Sequence, residues 1–265
     1  MSTAAASVKL RLRSAVVIPA RLASTRLPRK MLLAETGKPL VQHTYEQALQ
    51  ATRPMSVTVA ADDAGIAAAV RAFDGNVTMT SPEAASGTDR VAEVARQTPG
   101  VDVFVNVQGD EPEINPAAID LVIELLERNP QAVMSTVAAP IREREKLDNP
   151  ACVKVVIDNV GSDGAGRAMY FSRSPIPHVR DWDERLLTAE RPYFFQHLGL
   201  YAYRRDFLLR LAAMPRCDLE RLESLEQLRV LAAGYSIQVG LVEQATSGID
   251  TPEDYRAFVS RYRGC

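Results

Sequence analysis

The sequence predicts an α/β chain on a mostly parallel, wound sheet, and three observations carry that expectation. Short apolar runs at residues 15–18, 57–60, 76–79 and 103–107, rich in Val, read as buried strands. Helical spacing fills the gaps between them. Strict alternation of strand and helix then calls for right-handed crossovers between parallel strands. In the first helix Pro39 suits the first position, and Leu40, Val41, Thr44, Tyr45, Ala48 and Leu49 recur on one face. Asp62 is expected to cap the next helix, and Gly87 or Thr88 to open a third that turns Val91, Val94 and Ala95 inward.

Beyond Pro116 a helix carries Ile119, Val122, Ile123, Leu125 and Leu126 to a strand at 133–138. The pattern then loosens. Residues 153–157 read as a strand, 158–164 as a turn, and 171–191 combine proline, charge and the single Trp, Trp182. Residues 149–196 are therefore expected to leave the main sheet as a lid or a subunit contact, which suggests a homodimer. Alternation resumes with a strand at 199–203, helices at 205–213 and 219–233, a strand at 237–242 and a last helix from Thr251. The whole, residues 1–265, reads as one domain with an inserted excursion.

A net charge of -2 gives no overall attraction to nucleic acid or to a membrane surface, and no stretch reaches membrane-span length. Any electrostatic function must be local. Cys152, Cys217 and Cys265 are odd in number and far apart, which argues against a disulfide framework or a Cys-x-x-Cys metal site and suits a reducing cytoplasm. Residues 1–13 read as a frayed extension before the first strand.

Local charge gathers in one loop. Arg21, Arg26, Arg29 and Lys30 are four cations in ten residues with no acid among them, just past the first strand. Open α/β sheets bind ligands beyond the carboxyl ends of their strands, so the loop suits nucleotide phosphates better than a solvated surface patch. The strand at 103–107 ends in Gln108-Gly109-Asp110-Glu111. Asp110 is a natural Mg²⁺ ligand, Gly109 allows close backbone approach, and Gln108 can hydrogen-bond a sugar hydroxyl or carboxylate. A Gly-Asp pair also ends strands for purely conformational reasons. Thr251-Pro252-Glu253-Asp254 is accounted for as a helix cap, but Asp250 precedes it and needs another role. Two carboxylates from distant segments holding one Mg²⁺ would serve nucleotidyl transfer.

From Val16 to about Phe258 these segments, taken together and in order, resemble the 3-deoxy-manno-octulosonate cytidylyltransferase family. The resemblance is carried by Ile18-Pro19-Ala20-Arg21, Ser24-Thr25-Arg26-Leu27-Pro28, Ser86-Gly87-Thr88-Asp89-Arg90, Asn106 through Pro112, Tyr170-Phe171-Ser172-Arg173, His197-Leu198-Gly199, Leu225-Glu226-Gln227-Leu228-Arg229 and Asp250 through Asp254. It implies a Rossmann-like nucleotidyltransferase fold. It also implies transfer of CMP from CTP to the anomeric hydroxyl of the acidic sugar Kdo, giving CMP-Kdo and pyrophosphate for lipopolysaccharide synthesis. Arg21, Arg26 and Lys30 would hold the triphosphate, and Mg²⁺ on Asp110 and Asp250 would bridge the α-phosphate and the attacking hydroxyl.

By the same resemblance Ser86, Arg90 and Gln108 would contact the nucleotide, and Gln108, Arg173, His197, Tyr201, Glu223 and Glu226 the sugar. On the residues alone His197 also reads as a structural histidine, and Glu223, Glu226 and Arg229 as a surface ion ladder. Ser86 can equally be a plain helix cap, while His43 and His178 read as structural or exposed. Two positions depart from the family pattern: Ala84-Ala85, where a His before the serine is familiar, and Arg29, where glycine is common. Rival readings are activation of another acidic sugar, 8-amino Kdo or a sialic acid, and a nucleotide-binding module without turnover, against which the Asp110 and Asp250 pair speaks. A dinucleotide oxidoreductase lacks support, because no Gly-x-Gly-x-x-Gly follows the first strand.

Overall fold

Alternate residues of the first strand, β1 (Ser14–Ala20), feed two different cores, as a period of two requires. Val16 and Ile18 point to one side, Ala15 and Val17 to the other. The computed structural model describes residues 11–264 except Asn159 and Ser247, so residues 1–10 of the extension expected at 1–13 lie outside the described residues, while Arg11, Leu12 and Arg13 are not frayed but hydrogen-bonded to Thr52, Glu127 and Asp102. Beside β1 run β2 (Ser56–Ala61), β3 (Val77–Met79) and β4 (Val103–Asn106), all parallel, in the order β3-β2-β1-β4. Helices α1 (Leu40–Ala48), α2 (Ala64–Ala72) and α4 (Pro116–Arg128) pack on the Val16 side, and α3 (Gly87–Gln97) on the other. The result is a layered α/β/α arrangement with parallel strand ends at one edge.

The remaining strands are β5 (Met134–Pro140), β6 (Lys154–Asp158), β7 (Ala165–Ser172), β8 (Phe195–Arg204) and β9 (Ile237–Leu241). Here the expectation of a mostly parallel sheet needs correction. β8 runs antiparallel to both β4 and β5, and β7 antiparallel to β6 and β9, so the nine-stranded sheet is mixed. Apolar periodicity marks a strand and not its direction, which is why the sequence did not carry this.

The expected excursion is also narrower than 149–196. β6 and β7 belong to the sheet, and Lys154 pairs with Gln196, so β8, β5, β9, β7 and β6 close a circuit of pairings. Strand β7 escaped notice because only alternate positions of its first half are buried and a glycine and an arginine interrupt it. Outside the sheet stays the segment 173–194 with the short α6 (Arg185–Thr188), packed through Leu187 and Phe194 on Ile141, Leu147 and Cys152. Leu147 lies on α5 (Arg144–Asp148), a turn of helix the sequence reading also missed.

After β8 come α7 (Arg205–Ala213), α8 (Asp218–Glu223), α9 (Gln227–Ala232) and, past β9, α10 (Pro252–Arg263). The single helix expected at 219–233 is thus two, broken where Ser224 turns left-handed at φ 52°. Asp63, not Asp62, caps α2, and Pro39 sits at the N-cap of α1 rather than its first turn. Thr251 and Asp254 form a reciprocal capping box that starts α10. Helix α10 buries Tyr255, Phe258 and Val259 against Leu27, Leu40 and Ile249, pinning the basic loop beside residue 250. Among the described residues no helix is long and apolar enough to cross a membrane.

Arg29 holds φ 54° and ψ 29° at the entry to the 3-10 turn Lys30–Leu32. The left-handed region costs a side chain roughly 1–2 kcal/mol, of which glycine's greater chain entropy cancels about 0.5–1. Arg29→Gly is expected to raise unfolding stability by about 0.5 kcal/mol, read from urea melts.

Candidate active site

A cleft of about 460 Å³ opens at the carboxyl ends of β1 and β4, lined by Arg21, Arg26, Lys30, Arg90, Asp110 and Asp250 among others. Local packing explains why two acids so distant in sequence meet there. A Cβ on Gly109 would stand 2.8 Å from the Pro19 carbonyl, so only glycine lets the 108–110 turn lie against the end of β1. The Thr44 hydroxyl donates to the Gly109 carbonyl at 3.0 Å, and the Ile249 amide donates to the Asp110 carbonyl at 2.8 Å. Asp250 is thereby held next to Asp110.

Lys30 joins them. Its Nζ donates to Asp110 Oδ2 at 2.6 Å, to the Ile249 carbonyl at 2.6 Å and to Asp250 Oδ1 at 3.2 Å, while the residue is only 7% exposed. All three ammonium donors are engaged, so Lys30 differs from the free phosphate ligand expected of it. Arg26 lies 3.0 Å from the same Asp250 oxygen but is exposed, and such a pair contributes little. Arg21, also exposed, makes no side-chain hydrogen bond among the described residues, leaving its whole fork available.

Two hard carboxylate oxygens converging on one point charge suit a divalent cation. Among the described residues no group of three His, Cys, Asp or Glu side chains is placed to hold a metal. The donor set therefore fits Mg²⁺ that takes its other oxygens from water and a substrate's phosphates, and not a closed protein cage.

The cleft wall is more committed than the sequence suggests. Arg90 is buried, donating to Asp62 Oδ2 at 2.9 Å, Thr80 Oγ1 at 3.0 Å and the Ser81 carbonyl at 2.8 Å. Asp62 also accepts from the Leu22 amide at 2.9 Å, which is why it does not cap α2. Ser86 caps α3, its Oγ accepting from the Asp89 amide at 3.2 Å. The Gln108 amide donates to the Gly199 carbonyl at 3.3 Å and ties the cleft to β8.

A second polar region continues along β8. His197 stacks edge-on to Phe171 at 4.9 Å and shares a hydrogen bond with the Thr136 hydroxyl at 3.0 Å. Burial pushes its pKa down to about 3, so the ring is neutral at ordinary pH and offers no cation. Tyr201 lies 5.4 Å from His197, its hydroxyl 3.4 Å from Gln227 Oε1, with burial holding the phenol well above its usual range. The Gln227 amide nitrogen is buried with no partner among the described residues. Sequence reasoning passed over Gln227, for nothing in a polar residue between Glu226 and Leu228 announces an unpaired donor.

Of the ion ladder that the residues alone suggested, only the Glu226–Arg229 rung forms, and it is largely buried. Arg229 pairs with Glu220 at 2.7 Å and lies 3.6 Å from Glu226, while Glu223 belongs to the preceding helix. Glu226 accepts from the Thr88 hydroxyl, and burial raises its pKa. Glu223 accepts from the Ser172 hydroxyl at 2.6 Å and the Arg173 amide at 2.9 Å. Arg173, Glu223 and Glu226 thus flank the region without lining the main cleft.

Glu111 is another residue to which the sequence reading gave no role. Desolvation, aided by the Asp110 charge, raises its pKa to about 8. A carboxyl raised on folding ionises earlier in the unfolded chain, so its stabilising contribution is lost as pH climbs from the ordinary carboxylate range to about 8. In metal-free buffer Glu111→Gln is expected to flatten the fall in melting temperature across that window.

Known proteins resemble this chain over nearly its whole length. The family model for cytidylyltransferases matches residues 15–237. The 3-deoxy-manno-octulosonate cytidylyltransferase of Rhodopirellula baltica is 50% identical over 247 residues, covering 93% of this chain and 97% of that protein. The protein of the same name from Geobacter sulfurreducens is 46% identical over 251 residues, covering 93% and 98%. A solved structure of CMP:2-keto-3-deoxy-manno-octonic acid synthetase complexed with CTP superposes with a TM-score of 0.86 at 38% identity, over 95% of this chain and 99% of that one. The 4-diphosphocytidyl-2C-methyl-D-erythritol synthase of Anaerococcus prevotii, 14% identical with a TM-score of 0.61 over 96% of this chain and 97% of that one, shares the fold alone. With a carboxylate pair beneath a basic loop and relatives at this identity over nearly its whole length, the chain belongs to the 3-deoxy-manno-octulosonate cytidylyltransferase family.

Proposed function

We propose that the chain transfers CMP from CTP to the anomeric hydroxyl of Kdo and releases pyrophosphate, as the relatives' names indicate for those proteins. The observation that carries the reading is the meeting of Asp110 and Asp250 at Lys30, next to Arg21 and Arg26. A bond forms between the sugar's anomeric oxygen and the α-phosphorus, the bond to the oxygen bridging to the β-phosphate breaks with its electron pair going to pyrophosphate, and the hydroxyl proton passes to solvent water. Arg21 and Arg26 bind the triphosphate and neutralise the departing pyrophosphate. Lys30 balances the two carboxylates and keeps them together. Mg²⁺, held by Asp110 and Asp250, would supply phosphate charge neutralisation and a lowered pKa for a coordinated hydroxyl.

On the sugar side Arg173 is the cation for the carboxylate, since His197 is held neutral. Tyr201, Gln108 and the spare amide of Gln227 suit hydroxyls. Glu223 and Glu226 act there chiefly through neighbours, because their carboxylates already accept from Ser172, Arg173 and Thr88. Ser86 and Arg90 shape the nucleotide wall. A cytoplasmic homodimer is the setting we assign, in keeping with the unpaired cysteines Cys152 and Cys217.

A pyrophosphate-release assay across CTP, UTP, Kdo, 8-amino Kdo and a sialic acid tests the proposal. Fast release is expected with CTP and Kdo in the presence of Mg²⁺. Faster release with another sugar acid would reassign the substrate, and none with any pair would leave only a nucleotide-binding protein.

A further inference from the structure

We infer that Lys154 and Glu223 are positioning residues that hold Arg173 with one edge of its guanidinium free for the acidic substrate. The inference rests on the proposal that Arg173 takes the sugar carboxylate. Lys154 is the starting point, because it is fully buried yet has no acid within ion-pair distance among the described residues. Its Nζ donates instead to three backbone carbonyls, those of Asn149 at 3.0 Å, Cys152 at 2.7 Å and Arg173 at 2.5 Å. Burying a cation against neutral carbonyls is expensive, and an apolar side chain would fill the place at less cost. What the ammonium adds is geometry: it locks the 149–152 turn to residue 173.

That turn then grips the same arginine from the other side. Arg173 NH1 donates to the Pro150 carbonyl at 3.0 Å, and its Nε donates to the Glu223 carbonyl at 2.7 Å. The Glu223 carboxylate accepts from the Arg173 amide at 2.9 Å and from Ser172 Oγ at 2.6 Å. Amide, carbonyl, Nε and NH1 of one residue are all fixed, while NH2 donates no hydrogen bond among the described residues. Position in the fold agrees. Lys154 pairs with Ser172 on one side and Gln196 on the other, next to His197, whose ring meets Phe171. A guanidinium held this way loses little freedom on binding, which is where pre-organisation adds affinity.

The test compares Arg173→Ala, Glu223→Ala and Lys154→Met by KM for Kdo, KM for CTP, CTP affinity measured without sugar, and circular dichroism. Each folded variant is expected to raise the Kdo KM roughly tenfold or more while CTP affinity stays within about twofold. The double variant Glu223→Ala/Arg173→Ala is expected to be no worse than Arg173→Ala alone. Glu223 is partly exposed, so its variant carries the test if Lys154→Met fails to fold. Arg173→Ala with an unchanged Kdo KM would sink the reading of the sugar site itself. An Arg173→Ala defect without a matching Glu223→Ala defect, or CTP affinity falling in step with the Kdo KM, would overturn the positioning role.

Discussion

Asp110→Ala is expected to cut cytidylyl transfer by about 10³-fold or more, some 4 kcal/mol of transition-state stabilisation, with the fold intact. Asp110 sits on a turn whose backbone is held from outside, by Thr44 through the Gly109 carbonyl and by Ile249 through its own carbonyl, so losing the side chain leaves those bonds in place. What disappears is one of two oxygens that converge on a single cation. Asp250→Ala is expected to behave alike, since the capping of α10 depends on Thr251 and Asp254. Turnover within a few-fold of wild type in either variant, measured by pyrophosphate release on protein with a native melting profile, would remove the carboxylate pair from the chemistry.

Lys30→Met is expected to show the second large effect, and on stability as well as rate. The ammonium is nearly buried and is the hydrogen-bond partner of both carboxylates. Removing one partner of a buried ionic cluster typically costs about 3–5 kcal/mol, because the remaining charges are left facing one another. Partial exposure of Asp250 softens this, so about 2–3 kcal/mol in urea melts is expected. Millimolar Mg²⁺ should then raise the melting temperature of Lys30→Met more than that of wild type, since the variant lacks the resident cation. Equal shifts in the two proteins would show that the carboxylates do not face a shared cation position.

The parallel half of the fold was legible because β1, β2 and β4 are buried along most of their length and each helix has one apolar face, although the edge strand β3 is not buried. Periodicity reports those facts directly. The antiparallel half was not, since β8 looks the same in either direction and the first half of β7 is buried only at alternate positions. At the site, Arg21, Lys30 and Asp110 drew notice as charges past strand ends that also had a surface or conformational reading, and Asp250 as the acid its helix cap does not account for. The fold gathers all four along one cleft, where Lys30 donates to the carboxylates. Glu111, Gln227 and Lys154 carry no such mark. Their importance comes from burial and from partners present or missing, and these exist only once the chain is folded.

The most direct measurement is the anomalous scattering of Mn²⁺ in a crystal grown with CTP. The account predicts one strong peak in coordinating contact with both Asp110 and Asp250, with the triphosphate reaching Arg21 and Arg26. A peak away from that carboxylate pair, with the CTP phosphates on another face of the molecule, would contradict it.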